Sequence, residues 1–231
     1  MHAQTAIERA DQLRVAETAA RRLFEIVQER GVLVPGTSEL EANDAIRTIA
    51  KAEFGVDKFW HKRIVRSGPN TMHPYRENPP DRVMTEDDIV FLDFGPIFID
   101  WEADFGRTYV IGSDPHKLQI QADTQILWDR GKAYFESQPK VTGEQIYEFL
   151  KAEAQSLGYR FGDRHCGHLI GDFPHEKIED HEINSYLTPG NNLELRRTDE
   201  HGRPWHWILE VHIVDEERQY GAFFEQLLTV D

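Results

Sequence analysis

The sequence of 231 residues predicts an α+β fold made of two similar halves, about residues 1–115 and 116–231. In each half, two stretches with apolar residues at helical spacing precede short runs rich in strand-forming residues. The segment Gly36–Glu39 also has a counterpart in Thr142–Glu144 of the second half. We therefore expect a single pseudo-twofold domain over residues 1–231, with a curved, mostly antiparallel sheet backed by helices.

The predicted helices come in pairs, each pair ahead of its strands. The first has apolar residues at helical spacing and ends near Gly31, a residue type that commonly terminates helices. The second can be capped by Thr37 or Ser38, with Glu41 reaching back to the cap. The four helices are expected over residues 7–30, from Thr37 or Ser38 to Gly55, over residues 117–136, and from Thr142 or Gly143 to Gly158.

Two apolar runs, Ile89–Phe94 and Phe105–Ile111, are predicted to form neighbouring antiparallel strands joined through a Gly-Pro turn region. Side chains alternate along a strand, so Asp93 can lie opposite Asp104. An acid in an apolar strand is costly to bury and therefore needs a partner. In one interpretation one aspartate caps a turn and the other pairs with Arg107. In the other, both aspartates belong to a larger site.

Five short segments occur in an order that resembles a known family. They are Asp93–Gly95, Asp104–Thr108, Cys166–Gly171 with Pro174–Glu176 close behind it, Ile208–Glu210 and Phe224–Glu225. Together they are similar to the motifs of the pita-bread metallopeptidases, which include methionine aminopeptidase, Xaa-Pro aminopeptidase and prolidase. The histidine segment is closest to that of the methionine aminopeptidases. The resemblance spans nearly the whole chain and implies the pita-bread form of the α+β architecture.

The resemblance implies two divalent metal ions held by Asp93, Asp104, His168, Glu210 and Glu225. Asp93 would chelate one ion through both oxygens, and Asp104 and Glu225 would bridge the ions. His168 and Glu210 would complete the shell of the other ion, and a bridging water or hydroxide would be the nucleophile. Four carboxylates buried together would otherwise carry four negative charges, which two divalent cations cancel. Ligands that are mostly oxygen favour manganese, cobalt or iron, and zinc is possible.

The same resemblance implies three catalytic side chains. His175 would donate a hydrogen bond to the substrate carbonyl or oxyanion. Glu210 would also carry a proton from water to the leaving amine. His73, ahead of the first aspartate strand, would assist with the leaving nitrogen; the alternative for His73 is a loop histidine bonded to backbone.

Four further residues are candidates for substrate contacts. Tyr75 lies near His73 in the sequence, His165 precedes His168 by three residues, and Phe223 precedes Glu225 by two. Glu102 could contact a substrate amine, although we expect a solvated surface acid. Of the other histidines, we expect surface or loop positions for His61, His116, His181, His201 and His206. The single cysteine, Cys166, belongs to the histidine segment and is not expected to be a nucleophile.

Three departures from the family pattern affect the expected substrate. The polar stretch 196–204 looks like an inserted loop or hairpin and could line the substrate pocket. Phe223 stands where the proline-specific branch typically carries arginine. Pro174 replaces the aromatic residue of the methionine-specific pocket. The sequence therefore supports neither standard specificity.

Composition limits the classes of partner. The formal net charge of −15 disfavours nucleic acid and anionic membranes. One cysteine excludes an intramolecular disulfide, and we see no signal peptide and no apolar run of membrane-spanning length. We expect a cytoplasmic protein, and a homodimer is an expectation from the family alone.

The sequence thus predicts a dinuclear metal-dependent hydrolase, an aminopeptidase or dipeptidase that cleaves the amide bond next to a free amino terminus. A first alternative is a hydrolase of a small-molecule amide or C–N bond on the same fold. A second is a non-enzymatic binding protein, which is disfavoured because all five ligand positions are occupied.

Overall fold

The computed structural model describes residues 6–172, 182–199 and 201–230, and it has the predicted α+β architecture. Its helices are α1 (Ala6–Glu29), α2 (Glu39–Phe54), α3 (Pro115–Ser137) and α4 (Gly143–Ser156). Each agrees with a predicted helix to within a turn. In both halves a pair of helices precedes the strands with which it packs, as the sequence pattern indicates.

The two halves begin their second helices in the same way. Ser38 caps α2 by accepting a hydrogen bond from the Glu41 backbone N–H at 3.2 Å, and the Glu41 carboxylate accepts one from the Ser38 N–H at 2.8 Å. Thr142 and Gln145 form the equivalent capping box at the start of α4. A reciprocal pair of this kind satisfies two backbone donors that the helix itself leaves free.

The strands of the main sheet are β1 (Ile64–Ser67), β2 (Asp88–Phe94), β5 (Phe105–Ile111), β6 (Arg160–Phe161), β7 (Leu169–Ile170), β8 (His206–Asp215) and β9 (Tyr220–Leu227). Their order in the sheet is β1-β2-β5-β9-β8-β6, with β7 paired to β8, and the paired strands are antiparallel. A separate ribbon consists of β3 (Ile97–Phe98) and β4 (Trp101–Glu102). The strands of the two halves meet where β5 pairs with β9.

The helices pack against one face of this sheet. Val90 and Leu92 of β2 belong to the apolar core formed with α1 and α2, and Leu209 and Val211 of β8 belong to the core formed with α3 and α4. Because side chains alternate along a strand, Asp93, next to Leu92, and Glu210, between Leu209 and Val211, point to the opposite face.

The register of β2 and β5 differs from the expected one. Asp93 lies opposite Gly106, whereas we expected Asp104 there. Asp104 lies just before β5 begins, two residues ahead of the paired position. The predicted alternation of side chains was correct. The predicted length of the pairing between the two strands was wrong, because residues 97–102 form a separate ribbon and shorten it. Arg107 does not pair with either aspartate; it donates to backbone carbonyls of Gly106 and Glu225.

Among the residues that the structure describes, none of the helices combines the length and apolar character needed to cross a bilayer.

Candidate metal centre

A row of paired residues crosses the face of the sheet opposite the helices. Ile64 pairs with Asp93, Asp93 with Gly106, Gly106 with Glu225, and Glu225 with Glu210. Three acids from three strands are therefore aligned along one line perpendicular to the strands. Asp93 and Glu225 are 6% and 2% exposed, so their carboxylates have almost no contact with bulk water.

Gly106 provides the space at the middle of this row. A Cβ atom there would lie 2.3 Å from Cε1 of Phe223 and 3.1 Å from Cβ of Glu225. Real Cβ atoms do not approach carbon that closely, so a larger residue would displace the Phe223 ring. The glycine of the Asp-Phe-Gly-Arg-Thr motif thus lets Asp93 and Glu225 share one site.

Asp104 and His168 extend the row at its edge. The Nε2 atom of His168 lies 3.1 Å from Oδ2 of Asp104, and its Nδ1 lies 2.8 Å from the carbonyl oxygen of Leu169. The segment containing His168 runs beside β8, where the Ile208 N–H donates to the His168 carbonyl at 2.9 Å. Gly167 permits this approach, because a Cβ there would lie 2.0 Å from the Ile208 carbonyl oxygen.

His61 also belongs to this cluster: it lies in a loop, one of the two positions expected, but its ring is buried there rather than at the surface. Its side chain is only 7% exposed, and its Nε2 lies 3.0 Å from Oδ1 of Asp104 and 3.6 Å from Oδ1 of Asp93. The loop before β1 carries it there. His206, expected at a surface or loop position, is instead buried at the start of β8 with 8% exposure, whereas His116 and His201 are exposed as expected.

The side chains form two groups that could each hold a metal ion. In the first, one ligand atom each from His61, Asp93 and Asp104 lie within 4.8 Å of one another; in the second, the same holds for Asp104, His168 and Glu225. Asp104 is common to both. Oε2 of Glu225 is buried and has no hydrogen-bond partner among the described residues. A buried carboxylate oxygen without a donor fits a cation ligand, so these residues suit the divalent ions that the family resemblance implies.

The electrostatics of the cluster follow from burial and crowding. Burial, together with the charges of Asp104, Asp93 and Glu210, raises the pKa of Glu225 well above its usual value. Burial likewise raises the pKa of Asp93 to about 7. Burial alone would raise the pKa of Asp104 too, but His61 and the hydrogen bond from His168 outweigh it and lower the pKa of this acid.

The two histidines respond in the opposite direction. Burial disfavours their charged forms, but the neighbouring carboxylates outweigh burial and raise the pKa of His61 and of His168 to about 9. Both rings are therefore doubly protonated and positively charged at neutral pH while no cation is bound. Their charges partly balance the negative charges of the carboxylates. Divalent ions would take over this balance and release the protons.

Glu210 lies at the far end of the row and has its own histidine partner. The Nδ1 atom of His165 lies 2.9 Å from Oε1 of Glu210, and the two side chains are 14% and 12% exposed. The ring of Tyr186 lies 5.0 Å from that of His165. The structure thus places His165 beside a candidate ligand, where it holds the Glu210 carboxylate.

Two of the predicted substrate-contact residues border the cluster. Tyr75 is 38% exposed, and its ring centroid lies 5.7 Å from that of His61. Phe223 is buried beside Gly106, with its ring 5.3 Å from that of Phe91. Together with Ile64 these two phenylalanines form a small apolar cluster on the acid-bearing face of the sheet.

The outcome differs among the remaining candidates. His73 is 40% exposed at the side chain and bonds Glu77 through Nδ1, so the structure does not bring its ring into the acid cluster. Glu102 is 1% exposed, and the expectation of a solvated surface acid is therefore wrong. His175, Pro174 and His181 lie outside the described residues.

The described residues of the stretch 196–204, namely 196–199 and 201–204, form a hairpin-like loop. Thr198 bridges to Pro204, and the Arg203 side chain bonds Asp199 at 2.6 Å. Arg196 stacks on Phe135 of α3 at 3.9 Å from the ring centroid. These contacts direct the described part of the loop toward the helix layer.

Comparison with known proteins agrees with this geometry. Residues 11–231 match metallopeptidase family M24. The chain belongs to that family. It is 23% identical over 164 residues to an Xaa-Pro dipeptidase of Pyrococcus horikoshii, covering 71% of this chain and 45% of that relative. This M24 chain thus spans about half the length of the curated relatives it matches.

Solved structures of M24 enzymes show the same fold. A prolidase from Thermococcus sibiricus superposes with a TM-score of 0.73 at 23% identity, covering 95% of this chain and 56% of the prolidase. A methionine aminopeptidase from Thermotoga maritima superposes with a TM-score of 0.69 at 19% identity, covering 96% of this chain and 97% of the other. The predicted pita-bread fold and family are thereby confirmed.

Proposed function

We propose that this M24 protein is a dinuclear metal-dependent hydrolase, an aminopeptidase or dipeptidase that cleaves the amide bond next to a free amino terminus. The observation that carries this proposal is the pair of ligand groups that share Asp104. Asp93, Asp104, His168, Glu210 and Glu225 would hold the ions, with Asp104 contacting both. When bound, two divalent ions activate a water nucleophile and polarise the scissile carbonyl.

Glu210 is suited to move the proton between the attacking water and the leaving amine. It is less buried than Asp93 and Glu225, and His165 holds one of its oxygens in place. A positioned carboxylate within hydrogen-bond reach of the reacting atoms contributes about 10²–10⁴-fold to such a step. His175 remains the proposed donor to the oxyanion.

The apolar cluster of Ile64, Phe91 and Phe223 supports an apolar substrate side chain next to the centre. These residues share the sheet face with the acids, and Phe223 is two residues from Glu225. Pockets that bind small ligands combine such apolar walls with a few fixed polar groups. Tyr75, beside His61, is the proposed polar contact to the substrate.

A substrate panel tests the proposal. Peptides with amino-terminal Met, Xaa-Pro dipeptides and non-peptide amides should be assayed with manganese, cobalt, iron and zinc, alongside elemental analysis of protein prepared without chelator. We expect turnover of at least one peptide class and close to two ions per chain. Replacing Asp104 with Asn should lower kcat/KM by about 100-fold or more. The matched control is Asp57→Asn, which removes an exposed acid paired with Lys51.

The outcomes separate the candidate functions. Turnover of non-peptide amides alone would replace the peptidase assignment by a small-molecule hydrolase. A fully folded protein that binds no divalent ions at millimolar concentration would overturn the dinuclear centre itself.

A further inference from the structure

His61 has the position and the chemistry of a metal ligand, although it is not one of the five residues in the ligand series. We propose that His61 is a sixth protein ligand of this centre, binding through Nε2 to the ion held by Asp93 and Asp104. The inference rests on the proposed dinuclear function. With His61 as a ligand, each ion has one imidazole. His61 lies on one side of Asp104 and His168 on the other.

The hydrogen bonds of the ring fix which nitrogen is available. Nδ1 of His61 lies 2.7 Å from the carbonyl oxygen of Lys62, and a carbonyl can only accept, so Nδ1 carries the hydrogen. In the neutral ring Nε2 then has a free lone pair directed at the oxygens of Asp93 and Asp104. Lone pairs repel one another, so a neutral His61 is compatible with this arrangement when a cation lies among them.

His168 repeats the arrangement. Its Nδ1 lies 2.8 Å from the carbonyl oxygen of Leu169, again the next residue, and its Nε2 faces the other oxygen of Asp104. Metal-binding histidines typically donate their second N–H to a carbonyl or carboxylate, which fixes the tautomer and the ring orientation. The two rings therefore have the same anchoring on opposite sides of one carboxylate.

The surrounding chain holds the His61 ring in place. The backbone N–H of Trp60 donates to the Gly95 carbonyl at 2.9 Å, and its indole N–H donates to the Ala103 carbonyl at 3.0 Å. The Trp60 ring lies 4.5 Å from that of His61 and 5.3 Å from that of His168, between centroids. Gly95 leaves room for the ring, because a Cβ there would lie 2.4 Å from Nε2 of His61.

Charge balance is unchanged by the extra ligand. Two divalent ions cancel the four carboxylates, and a neutral imidazole completes a coordination shell without adding charge. Imidazole suits zinc, iron and cobalt better than manganese or magnesium. A centre with one nitrogen ligand per ion should therefore favour these metals over manganese more strongly than a centre with a single histidine.

Metal titration tests the ligand. Calorimetric titration of cobalt into the metal-free protein should show two ions bound by the wild type. In His61→Ala and in His61→Asn, one ion should bind at least about tenfold more weakly while the other is retained. His116→Ala, which removes an exposed histidine of α3, is the matched control and should match the wild type. Wild-type affinities for both ions in both His61 variants would overturn the inference and leave the dinuclear function standing.

A spectroscopic readout separates a ligand from a residue that merely hydrogen-bonds Asp104. In the cobalt-loaded wild type, the Nδ1 protons of His61 and His168 should both give strongly shifted exchangeable proton NMR signals. His61→Asn should remove one of them and His168→Asn the other. If the His61 variant does not fold, the wild type still decides, because one shifted histidine signal rather than two contradicts coordination by His61. If the wild type binds no cobalt, the proposed function fails as well.

Discussion

Glu210 and Glu225 are direct cross-strand neighbours on β8 and β9, and both point to the face of the sheet opposite helices α1 to α4. Like charges in this position repel, and the repulsion is stronger here because Glu225 is 2% exposed. The fold therefore holds an arrangement that is unfavourable by itself and that bound cations would relieve.

Replacing Glu225 with Gln should stabilise the metal-free protein at high pH. Burial raises the pKa of Glu225, so ionising it costs stability as pH rises through the shifted pKa, and Gln cannot ionise. Scanning calorimetry at pH 9 should show a higher Tm for the variant, by about 2–4 °C for each kcal/mol gained. Added cobalt or manganese should raise the Tm of the wild type by more than that of the variant, which keeps the ligand group of His61, Asp93 and Asp104.

At pH 4, below the ordinary glutamate pKa of 4.5, the same variant should differ little from the wild type, because Glu225 is then largely protonated in both the folded and the unfolded state. The control is Glu217→Gln, an exposed acid in the turn between the same two strands, which should have no effect at either pH. If Glu225→Gln lowered the Tm by the same amount at both pH values, the cost of ionising buried Glu225 would not explain its effect.

Metal affinity should increase with pH. The carboxylates around His61 and His168 raise the pKa of each ring from 6.5 to about 9, so these protons stabilise the metal-free fold fully below pH 6.5 and progressively less up to pH 9. A ligand imidazole must be neutral, so ion binding has to release them. The apparent affinity should therefore rise over this pH range.

Calorimetry in buffers with different ionisation enthalpies measures the protons directly. The number released per ion should be positive at pH 7 and should fall toward zero above pH 9. Affinity independent of pH over this range would contradict the ion pairing described for the metal-free cluster.

Replacing Gly106 with Ala should disturb the centre of the acid row. The new Cβ would lie 2.3 Å from Phe223, and overpacking of this kind costs about 1–3 kcal/mol. Urea unfolding of the metal-free protein measures the loss. The double variant Gly106→Ala with Phe223→Leu should recover part of it, because the smaller side chain yields space. Strict additivity of the two single effects would show that the ring is not the obstacle.

Much of this organisation could be predicted from the sequence. Helical spacing and the Ser38 cap located the helices, because both are local properties. The alternation of acids and apolar residues predicted which side chains share a face of the sheet. The register of Asp93 with Gly106 was missed, since it depends on where the ribbon of β3 and β4 ends the ladder.

His61 could not be assigned from its neighbours in the sequence. Its position is set by long-range contacts, chiefly the bonds of Trp60 to the carbonyls of Gly95 and Ala103. The available local signal was a histidine after two aromatic residues and just ahead of an apolar strand. Such a pattern also fits a surface loop, so only the tertiary arrangement brings His61 beside Asp104.

Arg107 supports the centre from within the sheet, and replacing it with Lys should not be conservative. Its guanidinium donates to the carbonyls of Gly106 and Glu225, both at 2.7 Å, and lies between the rings of Phe105 and Phe224 at 3.8 and 3.7 Å from their centroids. Lysine has no planar group to fill this space and make both contacts. We expect a loss of about 1–3 kcal/mol in the free energy of unfolding.

Arg107→Lys should also weaken metal binding, because the Glu225 carbonyl loses its hydrogen bond from Arg107 while the Glu225 side chain stays intact. Arg22→Lys, on an exposed part of α1, is the matched control and should alter the free energy of unfolding by less than about 0.5 kcal/mol. Calorimetric titration with cobalt then separates the two effects. Reduced stability with unchanged affinity for both ions would mean that Arg107 supports only the strand pairing, and that the position of Glu225 is fixed by β8 alone.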